Sequence, residues 1–202
     1  MNAKFVSAAA TAAAPATAPA VRPANCADAL IGGANLLLTD LERGVAIDVR
    51  VLRAAMIASF GASDAEGAWD WKTAYDACEA AQILFLRKFG PAMRERAASP
   101  SRFLAMLTKL AALVPSHTRR SQESQALQQF STPIGLGFVA STAAAITPAD
   151  LVLEPSAGTG LLAIHAELAG GSLVLNDIAD TRADLSPSRL WRRAQSLCSR
   201  SR

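Results

Sequence analysis

The sequence predicts an α/β protein: a helical amino-terminal layer followed by one strand, turn, helix, strand unit, with the sheet left incomplete. Three observations lead there. Apolar residues recur at helical spacing up to residue 115 with no strand pattern. Two short apolar runs, LVLE at 151–154 and SLVL at 172–175, flank a helical stretch. A glycine turn, EPSAGTG at 154–160, joins the first run to that stretch, as the first turn of a parallel β-α-β unit does.

The elements follow in order. Residues 1–27 form an Ala/Pro-rich tail cut by Pro15, Pro19 and Pro23, expected to be disordered. Helical spacing then runs from Asp28 to Arg43, and Gly44 is placed to stop it. Asp48 can cap a second helix, VRVLRAAMIASF, that ends at Gly61. Ser63 and Asp64 lead into the longest helical pattern, which Gly90-Pro91 should close; its Trp69, Trp71 and Tyr75 read as core. Pro100, flanked by Ser99 and Ser101, opens a helix that Pro115 closes. The helical region is thus 28–128, ending in a polar connector. In the segment Phe130 to Pro133, Thr132 can cap and Pro133 can open a helix to about Ala145. Residues 147–150 are a turn, LVLE a buried strand, GTGLLAIHAELA a helix stopped by Gly170-Gly171, and SLVLND a second strand.

Composition narrows the function. No stretch of about 18 strongly apolar residues is present, so no membrane span is expected. Cys26, Cys78 and Cys198 are far apart, with no CxxC pair and no histidine cluster, which argues for a reduced, cytoplasmic protein without a metal site. The net charge of +3 is uneven: from Thr181 onward six Arg face one Asp, a local +5 that leaves −2 for the rest. The body is therefore not a basic nucleic-acid surface by composition.

The turn itself points to a ligand. Gly158 and Gly160 let the backbone approach a bound molecule closely, and Glu154 and Asp177 end the two strands on the same crevice. A carboxylate at Asp177 suits a ribose diol, because it accepts both hydroxyl protons. Residues 158–163 also fit GxGxxA, so an NAD-binding oxidoreductase stays open as an alternative. The GK[ST] ending of a nucleoside triphosphate loop is missing, as is the GxSxG of a hydrolase. His165 and His117 have no partner at ligand spacing and read as packing or surface residues.

The acid-Pro-Ser-Ala-Gly-Thr-Gly form of 154–160 resembles motif I of the S-adenosylmethionine-dependent methyltransferases that modify the adenine amine in DNA. The upstream FSTP at 130–133 resembles their motif X, and Asp177 falls where their ribose acid lies. The longer stretch from GAWDWKTAYDACEAAQILFLRKFG to GGSLVLND is similar to the amino-terminal part of bacterial strawberry notch-type proteins, which join a methyltransferase-like domain to a helicase. The resemblance implies that residues 129–180 are the start of a Rossmann-like class I methyltransferase domain. It implies S-adenosyl-L-methionine as cofactor, with Phe130, Thr132 and Pro133 shaping its methionine end. Glu154 would hold its ammonium, Pro155, Ser156, Gly158 and Gly160 would form the turn that admits it, and Asp177 would bind ribose.

The family's catalytic (Asn/Asp/Ser)-Pro-Pro-aromatic loop, which holds the flipped adenine, has no counterpart here, since the sequence contains no Pro-Pro pair. No catalytic residue is assigned. Residues 181–202, rich in Ser and Arg, show no strand pattern and are expected to be disordered, as a frameshift or truncation near Leu185 would produce. An exposed sheet edge and a tendency to aggregate should follow. The expected function is a cofactor-binding fragment of a DNA methyltransferase, with DNA and a helicase domain as partners of the parent protein and no activity alone. The alternative is a non-catalytic cofactor-binding or helicase-docking module.

Overall fold

The computed structural model describes residues 26–115, 131–177, 182, 185, 190, 191 and 194–196. Four helices come first: α1 (Cys26–Glu42), α2 (Val49–Phe60), α3 (Trp71–Ala97) and α4 (Pro100–Ala111). Then follow α5 (Ile134–Ala143), β1 (Leu151–Glu154), α6 (Ala163–Leu168), β2 (Ser172–Leu175) and β3 (Ala194–Ser196). The chain is α/β, a helical layer joined to a small parallel sheet of order β1-β2-β3.

Local chemistry sets several boundaries where the sequence placed them. Asp48 accepts hydrogen bonds from the Arg50 and Val51 amides at 2.8 and 2.9 Å, so two of the orphan donors of α2 are satisfied. Gly61 ends that helix at φ 78°, a left-handed conformation that costs a side chain energy and costs glycine nothing. Ser99 caps α4, with Pro100 in its first turn.

Other boundaries differ. Ser63 and Glu66 do make a capping pair, with Glu66 Oε2 accepting from the Ser63 amide at 2.8 Å and its hydroxyl at 2.6 Å. Gly67 then turns at φ 74° and the helix restarts at Trp71, capped by Asp70. At the other end α3 runs straight through Gly90-Pro91 to Ala97. Pro91 loses one backbone bond, to the Arg87 carbonyl, and packing outweighs that loss. Gly90 serves a close approach: a Cβ there would meet Leu168 of α6 at 2.9 Å. Thr132 does not cap α5; Pro133 occupies the cap position and no side chain bonds the helix end.

The long helix α3 is the spine. It packs against α1, α2, α4 and α6, while α5 bridges α4 and α6. Leu37, Leu52, Met56, Ile83, Leu86 and Leu107 are fully buried around it, and burial of each such side chain is worth about 2 kcal/mol. Trp69 and Tyr75 are buried as read, with the Trp69 and Trp71 rings edge to face at 5.6 Å.

The sheet departs most from expectation. β1 and β2 do pair in parallel, Leu151 opposite Ser172 through Glu154 opposite Leu175. The β1 strand is not buried, however, since Leu151 and Leu153 are 69% and 56% exposed. The helix between the strands is short, beginning at Ala163 after two further turn residues rather than at the glycines. In the stretch read as strandless, residues 194–196 add a third parallel strand beside β2, and Leu185, Leu190 and Trp191 are buried. Among the described residues no helix is long and apolar enough to cross a membrane, and no group of three His, Cys, Asp or Glu is placed to hold a metal.

Candidate functional site

The site is built on the turn between β1 and α6. Two backbone bonds lace the strand ends together: Asn176 donates to the Glu154 carbonyl at 3.0 Å, and Ala157 donates to the Asn176 carbonyl at 2.8 Å. The chain then passes Gly158 and Gly160 at φ 57° and 107°, which only glycine takes without strain. Asp177 completes the loop by accepting the Gly158 amide at 2.8 Å. The carboxylate at the end of β2 is thus turned onto the glycine turn, and Asp177 is 9% exposed.

A cleft of about 60 Å³ opens above this turn. Of the residues expected at a ligand site, Thr132, Glu154, Ser156 and Gly158 line it. Glu154 folds back, its Oε1 accepting the Ser156 amide at 3.2 Å. Pro133 and Pro155 are not among the lining residues: Pro133 starts α5, and the Pro155 carbonyl accepts from the Asn176 side chain at 3.4 Å. Gly160 is covered by Trp191, and Asp177 lies behind Gly158. Phe130 lies outside the described residues.

The remaining residues of the site come from elements to which the sequence reading gave no role. From α3, Asp76 and Glu79 reach beneath the turn, each 3% exposed. Glu79 Oε2 accepts the Thr159 hydroxyl at 2.5 Å, and the Ser131 hydroxyl also bonds to Glu79. Its carboxyl is pushed up to about 7, first by burial and next by the Asp76 charge, against the two hydroxyls and the Arg182 cation. Arg182 gives two hydrogen bonds to Asp76, at 2.8 and 3.3 Å, and lines the cleft. The signal in the sequence was Asp76, Glu79 and Gln82, three polar residues at spacing three on one buried face of a largely apolar helix.

His165 is a packing residue, fully buried on α6. Its Nε2 bonds to the Ile134 carbonyl at 2.8 Å and its ring lies 5.6 Å from Phe138. Burial foremost, with the Arg94 charge adding to it, pushes the imidazole down to about 4, so it is neutral and Nε2 is the donor. Chemically the arrangement offers strand-end acids, glycine amides and a buried ionic cluster around one turn, the components of a binding site. Compared with protein-family models, with curated proteins and with solved structures, the chain matches none.

Proposed function

We propose that the glycine turn binds the adenosyl cofactor S-adenosyl-L-methionine, and that the chain is the cofactor-binding portion of a nucleic-acid methyltransferase directed at the adenine amine of DNA and associated with a helicase. One observation carries the reading: a parallel β1-turn-α6-β2 unit whose two positive-φ glycines lie between a strand-end acid on each side, Glu154 and Asp177. In a Rossmann-like class I methyltransferase arrangement, Asp177 takes the ribose diol and Glu154 the methionine ammonium. Thr132 and Ser156, at the lip of the cleft, supply hydroxyls to the methionine carboxylate. The sequence carries no Pro-Pro-aromatic loop to hold adenine, so this chain contributes binding, and the chemistry of transfer belongs to residues outside it.

Calorimetric titration of the folded chain with S-adenosylmethionine, S-adenosylhomocysteine and NAD tests this. Binding of the first two, weakened at least tenfold by Asp177→Asn, is the expected result. The Asn oxygen can still accept the Gly158 amide, so the variant removes the charge and one diol acceptor while keeping the turn. NAD binding in their place makes the site a nicotinamide one and removes the proposal.

A second reading, a non-catalytic docking module, is favoured by one feature of the helical layer. A hollow of about 370 Å³ lined by Phe85, Phe89, Met93 and Met106 lies open between α3 and α4. Failure of all three ligands to bind well-folded protein leaves that reading in place.

A further inference from the structure

Arg182 and Trp191 lie where a ligand of the glycine turn has to go. Arg182 crosses to α3 and is 6% exposed. Its Nη2 donates to Asp76 Oδ1 at 2.8 Å and its Nε to Oδ2 at 3.3 Å. Its Nη1 lies 3.6 Å from the place a Cβ would take on Gly158, so the same guanidinium abuts the turn. Among the described residues Lys72, 4.0 Å from Asp76, is a second cation beside this carboxylate.

Trp191 covers the second glycine. A Cβ on Gly160 would lie 2.7 Å from Trp191 Cε2 and still closer to Cζ2, so the indole rests directly on the bare glycine backbone. Its Nε1 donates to the Thr159 carbonyl at 3.1 Å. Arg87 holds the ring from α3, with its guanidinium carbon 4.5 Å from the ring centroid and a hydrogen bond from Nη1 to the Leu190 carbonyl.

A guanidinium leaves water at high cost unless acids take it up. Here the acids were in place on α3, three residues apart on its buried face. The indole on Gly160 is a planar ring in contact with a turn whose missing side chains make room for one. We propose that the site is self-occupied: Arg182 fills a cation seat formed by Asp76 and Glu79, Trp191 covers Gly160, and a ligand that joins a positive charge to a planar ring system displaces both. The ligand half of this statement rests on the cofactor reading; the seat and its cover do not. With Arg182 and Trp191 in place the cleft, about 60 Å³, is much smaller than such a ligand needs, so binding and displacement are one event.

The test is chemical rescue in the full chain. Arg182→Ala empties the seat, and ethylguanidinium at millimolar concentration is expected to raise the Tm of this variant by several degrees, leave wild type unchanged, and be unmatched by sodium chloride at equal ionic strength. S-adenosylmethionine should bind the variant at least tenfold more tightly than wild type, with ethylguanidinium competing. Rescue without S-adenosylmethionine binding leaves the seat standing and removes the cofactor reading. A folded variant without rescue, or equal S-adenosylmethionine affinity in both proteins, overturns the proposal. Should Arg182→Ala fail to fold, Trp191→Ala decides, since it leaves the Arg182–Asp76 pair intact. Amide exchange at residues 158–160 accelerated tenfold or more supports the cover, and unchanged exchange refutes it.

Discussion

Arg87 and Glu167 meet as a fork: Nε donates to Oε1 and Nη2 to Oε2, both at 2.8 Å, and the pair pins the long helix α3 to the short helix α6. With about a quarter of each side chain exposed, the pair is partly withdrawn from water, where two-point geometry strengthens a charged bond. Arg87→Met should therefore cost about 2 kcal/mol, and Arg87→Lys most of that, because an ammonium cannot form the fork. Urea denaturation of the three proteins measures it; equal midpoints for wild type and Arg87→Lys would show that charge alone is enough.

Two buried titratable groups, Glu79 and His165, oppose one another in pH. Glu79 has its carboxyl raised to about 7, so its contribution to stability is full below the unfolded value of 4.5 and lost as pH rises to about 7. His165 is lowered to about 4, so its contribution is full above 6.5 and lost as pH falls to about 4. Each limb is on the order of 3 kcal/mol, and between about pH 4.5 and 6.5 they nearly cancel. Glu79→Gln should uncover a stability that climbs with pH through this window, and His165→Gln one that declines. A Glu79→Gln profile identical to wild type would mean that Glu79 titrates in the fold as it does in the unfolded chain.

Asp48→Ala removes the acceptor for two amides at the start of α2, at about 1 kcal/mol. In a chain of this size that is about 2–4 °C in Tm. Ligand affinity should not move, because Asp48 and α2 are not among the residues of the cleft.

Cys78 is buried on α3 with its thiol pushed up to about 12, first by burial and then by the Glu79 charge. A thiol reagent at pH 8 should leave it unmodified in the native protein and modify it in urea, as mass spectrometry of tryptic peptides would read directly. Rapid native labelling would place the α3 face in solvent.

Much of the helical layer was legible because its signals are local. Asp48 and Gly61, or Ser99 and Pro100, fix a boundary through bonds made within four residues, and no tertiary contact has to be known. The start of α3 misled for the same reason: Ser63 and Glu66 form the pair their types promise, and only the conformation of Gly67 aborts the helix. Pro91 shows the reverse, a local stop overridden because Gly90 admits Leu168. The β-α-β order and the glycine turn were readable from two apolar runs and their spacing. Burial of β1 was not, since an apolar run says that a strand can be covered and is silent on whether anything covers it. Least legible was the cluster under the turn. Asp76 and Arg182 are 106 positions apart, and nothing local to an Arg/Ser-rich stretch announces that one of its arginines is buried against a helix.

The position of α3 also orders events in time. Its neighbours within the layer, α1, α2 and α4, all lie within two elements of it in sequence, so the helical layer closes through short connections and can form early. The sheet has no such shortcut. β1 and β2 must find each other across a crossover, and β3 has to return to β2 from about twenty residues further on. The short helix between β1 and β2 gains its footing only from an α3 already in place. Assembly should therefore be sequential, with secondary structure appearing in a fast phase and the glycine turn acquiring its final shape in a slower one.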